Sequence, residues 1–177
     1  MATESLVDDD GLMRAAQKGD RGAFIVLARA HQKSVYRVAY AVLRDRDPAR
    51  KVAIDALLRA WRGIGQAPDA MSFPVWITRI TLQLALAQRR ARARTPAPAF
   101  AEGGLPGAHP AALERCEAAY DALTPEHQQA ISLRLVANLG YSDLARVLDV
   151  PIAVAVTRVS GARANMLSRL GGPEMLE

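Results

Sequence analysis

The sequence predicts an all-α protein of two small helical domains joined by a flexible linker, the second a helix-turn-helix domain. Three observations carry this. Apolar residues recur at three- and four-residue steps before residue 91 and after residue 112, the signature of amphipathic helices. The stretch between, RARARTPAPAFAEGGLPGAHPA, keeps no apolar period and is rich in Pro, Gly and Ala. Near the C-terminus a short helix, a tight turn and a longer helix follow one another. The boundaries read as 1–94, 95–110 for the linker, and 111–177.

In the first domain, a short helix over about 9–18 follows the acids Asp8, Asp9 and Asp10, which suit the positive end of a helix. Asp20 then caps a long helix over about 21–44. Its stripe is Phe24, Leu27, Ala28, His31, Val35, Val38, Ala39 and Val42, so His31 reads as a partly buried structural histidine. After a turn at Arg44–Pro48, a third helix spans about 48–63, with Ala53, Leu57, Ala60, Trp61 and Ile64 inward and Lys51, Asp55, Arg59 and Arg62 outward. A loop, Gly63–Met71, leads to Ser72, which caps a fourth helix over about 73–93 with Pro74 in its first turn. There Phe73, Ile77, Ile80, Leu84, Ala87 and Ala91 form one stripe. Beside it Arg79, Gln83, Arg90 and Arg94 fall within about 60° of one another. Leu82 and Leu86 fit neither stripe.

In the second domain, a helix over about 111–122 precedes Thr124-Pro125-Glu126, which is an N-cap, a proline at the first helical position and an early acid. That helix runs to about Asn138, with Gly140 as its stop. YSDLARVL follows over about 141–148, then a turn at Asp149-Val150-Pro151 and a last helix over about 152–170. Ile152, Ala155, Val159, Ala162, Met166 and Leu170 face inward in it, and Ala153, Thr157, Ser160, Gly161 and Ala164 face outward. Cys116 and the tyrosines Tyr36, Tyr40 and Tyr120 read as packing residues.

Charge is divided unevenly. Residues 11–94 hold 17 Lys and Arg against 5 Asp and Glu, residues 95–177 hold 6 against 9, and the first ten residues carry four acids. A basic, Arg-rich half suits a nucleic-acid partner, because the guanidinium fork matches phosphate and guanine edges. One cysteine and three scattered histidines leave no disulfide framework and no metal constellation. No phosphate loop or nucleophile–base pair stands out, so neither an enzyme nor a cofactor is expected. No apolar run reaches membrane length, and the acidic start, MATESLVDDDG, argues against export. A cytoplasmic protein is expected.

The two halves together resemble the extracytoplasmic-function (ECF) sigma factors of bacterial RNA polymerase. LMRAAQKGDRGAFIVLARAHQKSVYRVAY resembles that family's opening two helices, and LLRAWRGI the end of its clamp-binding helix. SFPVWITRIT is similar to the start of its DNA-melting helix, and the stretch from ALTPEHQQ to GARANM is similar to its second domain. The resemblance implies that residues 1–94 bind core polymerase and melt the −10 element, and that 111–177 bind the −35 element. It implies core-polymerase contacts at Arg50, Lys51, Asp55, Leu58 and Arg59. It places the −10 contacts at Trp76, Arg79, Gln83, Arg89 and Arg90, and the −35 contacts at Val154, Thr157, Arg158, Ser160 and Arg163. Core RNA polymerase, promoter DNA and an anti-sigma factor are the implied partners, with no small-molecule substrate.

The chain departs from the family pattern at named positions. Arg50 and Lys51 stand where the clamp-binding helix usually has acids, which turns attraction to a basic clamp into like-charge contact. Gln83 stands for an asparagine and Ala87 for an acid in the melting helix. The loop over about 67–72, where the family captures a flipped base, is small and polar. The recognition helix has almost no outward charge, although base readout needs side chains that reach. Glu102 is the only acid between residues 91 and 112. The implied function is a sigma factor that directs polymerase to promoters. Two other readings remain at this point. One is a sigma-like decoy or adaptor that does not initiate alone; the other is a helix-turn-helix protein with an unrelated first domain. Charge also suggests that Glu4 and Asp8–Asp10 mask the basic first domain.

Overall fold

The computed structural model describes residues 8–68, 71–92 and 110–171. The chain divides into two compact units, Met1–Ala93 and Arg94–Glu177. The linker expected at 95–110 lies, but for Pro110, outside the described residues.

The first unit holds α1 (Asp9–Gln17), α2 (Arg21–Leu43), α3 (Arg46–Gly63) and α4 (Phe73–Arg92). Asp8 caps α1 by accepting from the Gly11 N–H at 3.0 Å, and Asp20 caps α2 by accepting from Ala23 at 3.1 Å. Both meet helix N–H groups that lack an intrahelical partner. α3 starts two residues earlier than its sequence suggests. Asp45 is its cap and accepts from the Asp47 N–H at 3.2 Å. Pro48 still falls in the first turn, where its missing N–H is harmless. The expected loop after α3 opens with one 3-10 turn, Ile64–Gln66, because Ile64 is buried.

α2 packs against α1, α3 and α4, and α3 packs against α4. Phe24, Leu27, Val35, Ala56, Phe73 and Ile77 lie in their shared core. Phe24 sits against Trp61 and, edge-on, against Phe73, so three helices meet at one aromatic cluster. His31 belongs to the same cluster: its ring lies against Phe73 and its Nε2 is 2.8 Å from the Asp9 carboxylate. That bond ties α1 to α2. Tyr36 and Tyr40 are half-buried and stack on each other. The buried face of α4 is rotated from the apolar stripe read in its sequence. Ala87 and Ala91 are exposed, whereas Thr78, Thr81, Leu82 and Ala85 are buried. The Thr81 hydroxyl donates to the Ile77 carbonyl at 2.7 Å, which removes the cost of burying it.

The second unit holds α5 (Pro110–Asp121), α6 (Pro125–Val136), α7 (Tyr141–Leu148) and α8 (Ile152–Leu170). α8 packs against α5, α6 and α7. Thr124 caps α6, with Pro125 at its first position. The stop after α6 is not Gly140. Asn138 takes the left-handed conformation (φ 51°), which its short polar side chain tolerates, and Gly140 instead opens α7. Asp149 closes α7 at φ 57°, and the Val150 N–H bonds back to the Ala145 carbonyl at 3.1 Å. The chain thus reverses in three residues before α8. Leu123, Ile131 and Ala162 form a core cluster, with Tyr120 packed against it. The Tyr120 hydroxyl lies 2.7 Å from the Ser132 hydroxyl. Cys116 does not pack as expected: it is exposed, and the first buried side chain described in α5 is Ala119, nearly one turn later.

Candidate nucleic-acid and partner interfaces

The outward side of α3 follows from its inward side. Ala49, Val52, Ala53, Ala56 and Ala60 are buried, which leaves Arg50, Lys51, Asp55, Leu58 and Arg59 all exposed on the opposite face. Two further residues share that face, Ile54 and Arg62. The sequence reading missed Ile54, although its spacing four residues before Leu58 already placed it there. Ile54 is 59% exposed and Leu58 48% exposed. Ile54 and Leu58 thus form an exposed apolar pair flanked by charged side chains.

α4 carries the second surface. Gln83 and Arg90 are exposed and Arg79 is half-buried; at 100° per residue the three fall within about 40° of one another. Trp76 lies on the same side, half-buried, with its ring edge-on to Phe73 and against Gly63. Arg89 is not brought to this group. It is half-buried and points about 100° away, while Arg92 beyond it reaches Asp45 at 3.0 Å and ties the end of α4 to the start of α3. Arg94 lies outside the described residues, as do 69–70 of the preceding loop. The acids proposed to mask this surface are partly engaged: Asp8 caps α1 and Asp9 holds His31, while Glu4 lies outside the described residues.

α8 carries the third. Val154, Thr157 and Ser160 are exposed. The Thr157 hydroxyl donates to the Ala153 carbonyl at 2.9 Å and Ser160 donates to Thr157 at 3.1 Å, so both donors bond their own helix. Arg158 is half-buried beside Glu126 at the start of α6. The Glu126 carboxyl is held below the usual range by its own backbone N–H, then by Thr124, with smaller help from Arg158 and His127. Arg163 is exposed, but about 120° round the helix from Thr157. Val154, Thr157 and Ser160 thus span about 120° of the helix, with the half-buried Arg158 about 40° beyond Val154 at one edge and Arg163 about 60° beyond Ser160 at the other. Two assignments on this helix change. Ile152 is exposed rather than buried, because it stands at the first position of α8, at the rim of the unit. Gly161 does not face outward: a Cβ there would lie 3.0 Å from the His127 ring, so the glycine lets α6 and α8 approach.

Among the described residues no group of His, Cys, Asp and Glu could hold a metal ion, and no helix is long and apolar enough to cross a membrane.

Residues 27–95 match the family model for sigma-70 region 2. The chain is 34% identical over 169 residues to the ECF RNA polymerase sigma factor SigM of Mycobacterium tuberculosis, a match covering 92% of this chain and 85% of that protein. It is 26% identical to the RNA polymerase sigma-H factor of Pseudomonas aeruginosa, over 88% of this chain and 90% of that one. Among solved structures, it is similar in fold to CnrH in complex with the cytosolic domain of CnrY. That match has a TM-score of 0.72 and 21% identity and covers 92% of this chain and 96% of that one. It is also similar in fold to the sigma factor RpoE of Bartonella quintana in complex with the anti-sigma factor NepR. Here the TM-score is 0.68 and the identity 20%, over 86% of this chain and 97% of that one.

Proposed function

The chain belongs to the ECF family of RNA polymerase sigma factors, and we propose that it works as one, directing core RNA polymerase to promoters and opening the −10 element. The carrying observation is the near full-length match to an ECF sigma factor at 34% identity. The sigma-factor family is not a family of enzymes. In this reading the chain acts in the cytoplasm, with core polymerase, promoter DNA and an anti-sigma factor as partners.

The first unit meets polymerase through Arg50, Lys51, Asp55, Leu58 and Arg59. It meets the −10 element through Trp76, Arg79, Gln83 and Arg90, with Arg89 contacting phosphate from the neighbouring side. The basic surplus of residues 11–94 supports this, because phosphate neutralisation supplies most of the sequence-independent attraction. The second unit meets the −35 element through α8. Val154, Thr157 and Ser160 face the groove, and Arg158 and Arg163 flank it. With two short hydroxyls in place of long donors, α8 reads few base edges and works chiefly by position and shape.

The test is co-purification with core RNA polymerase, followed by promoter-dependent run-off transcription. A stable complex and a transcript of defined start are expected. A chain that binds polymerase and yields no transcript, or that fails to bind it, overturns the reading.

A further inference from the structure

The start of α8 presents methyl groups to its surroundings. Over 152–157 the exposed side chains are Ile152, Ala153, Val154, Val156 and Thr157, and Ala155 alone is buried. Val154 is 37% exposed and Val156 39%. Thr157 and Ser160 each spend their one hydroxyl hydrogen on a carbonyl of their own helix, at 2.9 and 3.1 Å. Each hydroxyl can then only accept, and the uncommitted group that Thr157 adds is its methyl. Ala153, Thr157 and Ser160 fall within about 60° of one another; Val154 stands about 60° beyond Thr157, and Val156 about 40° beyond Ser160. The face between Arg158 and Arg163 therefore offers methyl groups and two acceptors, with no hydrogen left to donate.

In a helix-turn-helix domain the first turns of the second helix meet base edges in the major groove. A G·C pair presents two adjacent acceptors there, N7 and O6 of guanine, and this face has no donor to give them. An A·T pair presents the adenine N6 donor and the thymine C5 methyl, which match an accepting hydroxyl and an aliphatic side chain. We propose that α8 reads thymine methyl groups, so that the chain prefers a −35 element rich in A·T pairs. Ala153, Val154, Val156 and Thr157 are the specificity-determining residues. This deepens the −35 role given to α8 and rests on it. The few base edges that α8 reads are then apolar ones, and Arg158 and Arg163 are left for phosphate. An apolar strip between two arginines matches a groove floor between two phosphate walls, which favours DNA over a protein partner.

The test lets the full chain, with core polymerase present, select from a pool of duplexes of random sequence. The tightest duplex is then remade with deoxyuridine for thymine, one block of the sequence at a time. This removes the C5 methyl and keeps the base pair. Fluorescence anisotropy reads the affinity. At the block that α8 meets, deoxyuridine is expected to weaken binding about fourfold for each methyl that was buried. Val154→Ala with Val156→Ala removes methyl groups at exposed positions and favours the helix; it should cut that thymine preference at least about fourfold. Arg163→Ala should weaken both duplexes and change their ratio less than about twofold. Circular dichroism checks that each variant folds. A duplex bound equally with thymine and with deoxyuridine at every block overturns the proposal. So does a thymine preference that Val154→Ala with Val156→Ala leaves intact, because the methyl then acts through duplex shape or through another part of the chain. A pool from which nothing is enriched also overturns it and leaves the face to a protein partner. Run-off transcription is independent of this assay. A chain that transcribes but does not distinguish thymine from deoxyuridine keeps the sigma-factor reading and loses this one. A chain that distinguishes them through Val154 and Val156 but yields no transcript separates the two the other way.

Discussion

A single missing Cβ sets how closely two helices of the second unit approach. Gly161 lies in the middle of α8, where glycine costs about 1 kcal/mol relative to alanine. A Cβ there meets the His127 ring at 3.0 Å, and the Nδ1 of that ring is buried with no hydrogen-bond partner among the described residues. The ring is half-buried against α8, so a methyl at position 161 has to displace it. Gly161→Ala in the wild-type background should fail to yield the helix-propensity gain. In a His127→Ala background the same change should stabilise by about 1 kcal/mol, because the obstacle is gone. Chemical denaturation of the four proteins of this double-mutant cycle measures it. Equal effects of Gly161→Ala in both backgrounds would show that the contact does not constrain the helix. The sequence carried the glycine in plain view. What it lacked was the partner, since His127 is 34 positions away and only packing brings the two together.

At the scale of one helix, α4 shows how a stripe can be seen and still be misplaced. Its period of three and four is evident in the residues, but hydropathy alone counts alanine as inward and threonine as outward. Thr81 reverses this by bonding its own turn at Ile77, and the buried face swings toward Thr78, Leu82 and Ala85. Arg79, Gln83 and Arg90 keep a common face all the same, because their mutual spacing does not depend on where the core lies. If this face meets single-stranded −10 DNA, removing an arginine that pairs with phosphate should lower the salt dependence as well as the affinity. Arg79→Ala with Arg90→Ala is expected to weaken binding about tenfold or more, and to reduce the slope of log affinity against log salt by about 0.7 for each phosphate left unneutralised. Filter binding of the polymerase complex across a salt series reads both quantities. Weaker binding with an unchanged slope would mean that the arginines act through folding or polymerase contact rather than phosphate. Arg89, which points elsewhere, should lower the slope no more than a single peripheral contact does.

Across the whole molecule the charge is segregated, and the two units follow that division. Residues 11–94 are strongly basic and 95–177 mildly acidic, close to the division into Met1–Ala93 and Arg94–Glu177. Each unit has its own buried core, so each should fold when expressed alone. The fragment Arg94–Glu177 should be helical by circular dichroism and bind duplex DNA weakly, because its net charge opposes approach and its recognition face has no extended donor. Electrophoretic mobility shift at low salt tests this. Tight, sequence-specific binding by the fragment alone would overturn the account of α8. Removing residues 1–10 removes the Asp8 cap and the Asp9–His31 bond, so its first effect should be on the stability of α1 rather than on DNA affinity.

What the sequence determined by itself was local or additive. The eight α-helices of the described residues, the caps at Asp20 and Thr124, the tight turn at Asp149 and the charge of each half are set by periodicity, side-chain chemistry and counting. The exposed faces of α3 and α8 were likewise largely legible, because spacing within one helix fixes which residues share a side. The tertiary structure decided which side faces in and what meets what. Asp45 caps α3 with one carboxylate oxygen and takes Arg92 from the end of α4 with the other. His31 is structural because Asp9 and Phe73, from two other helices, converge on it. Cys116 is exposed in α5, whereas Ala119, three residues on, is buried. Each of these turns on contacts between residues far apart in the chain, which packing alone brings together.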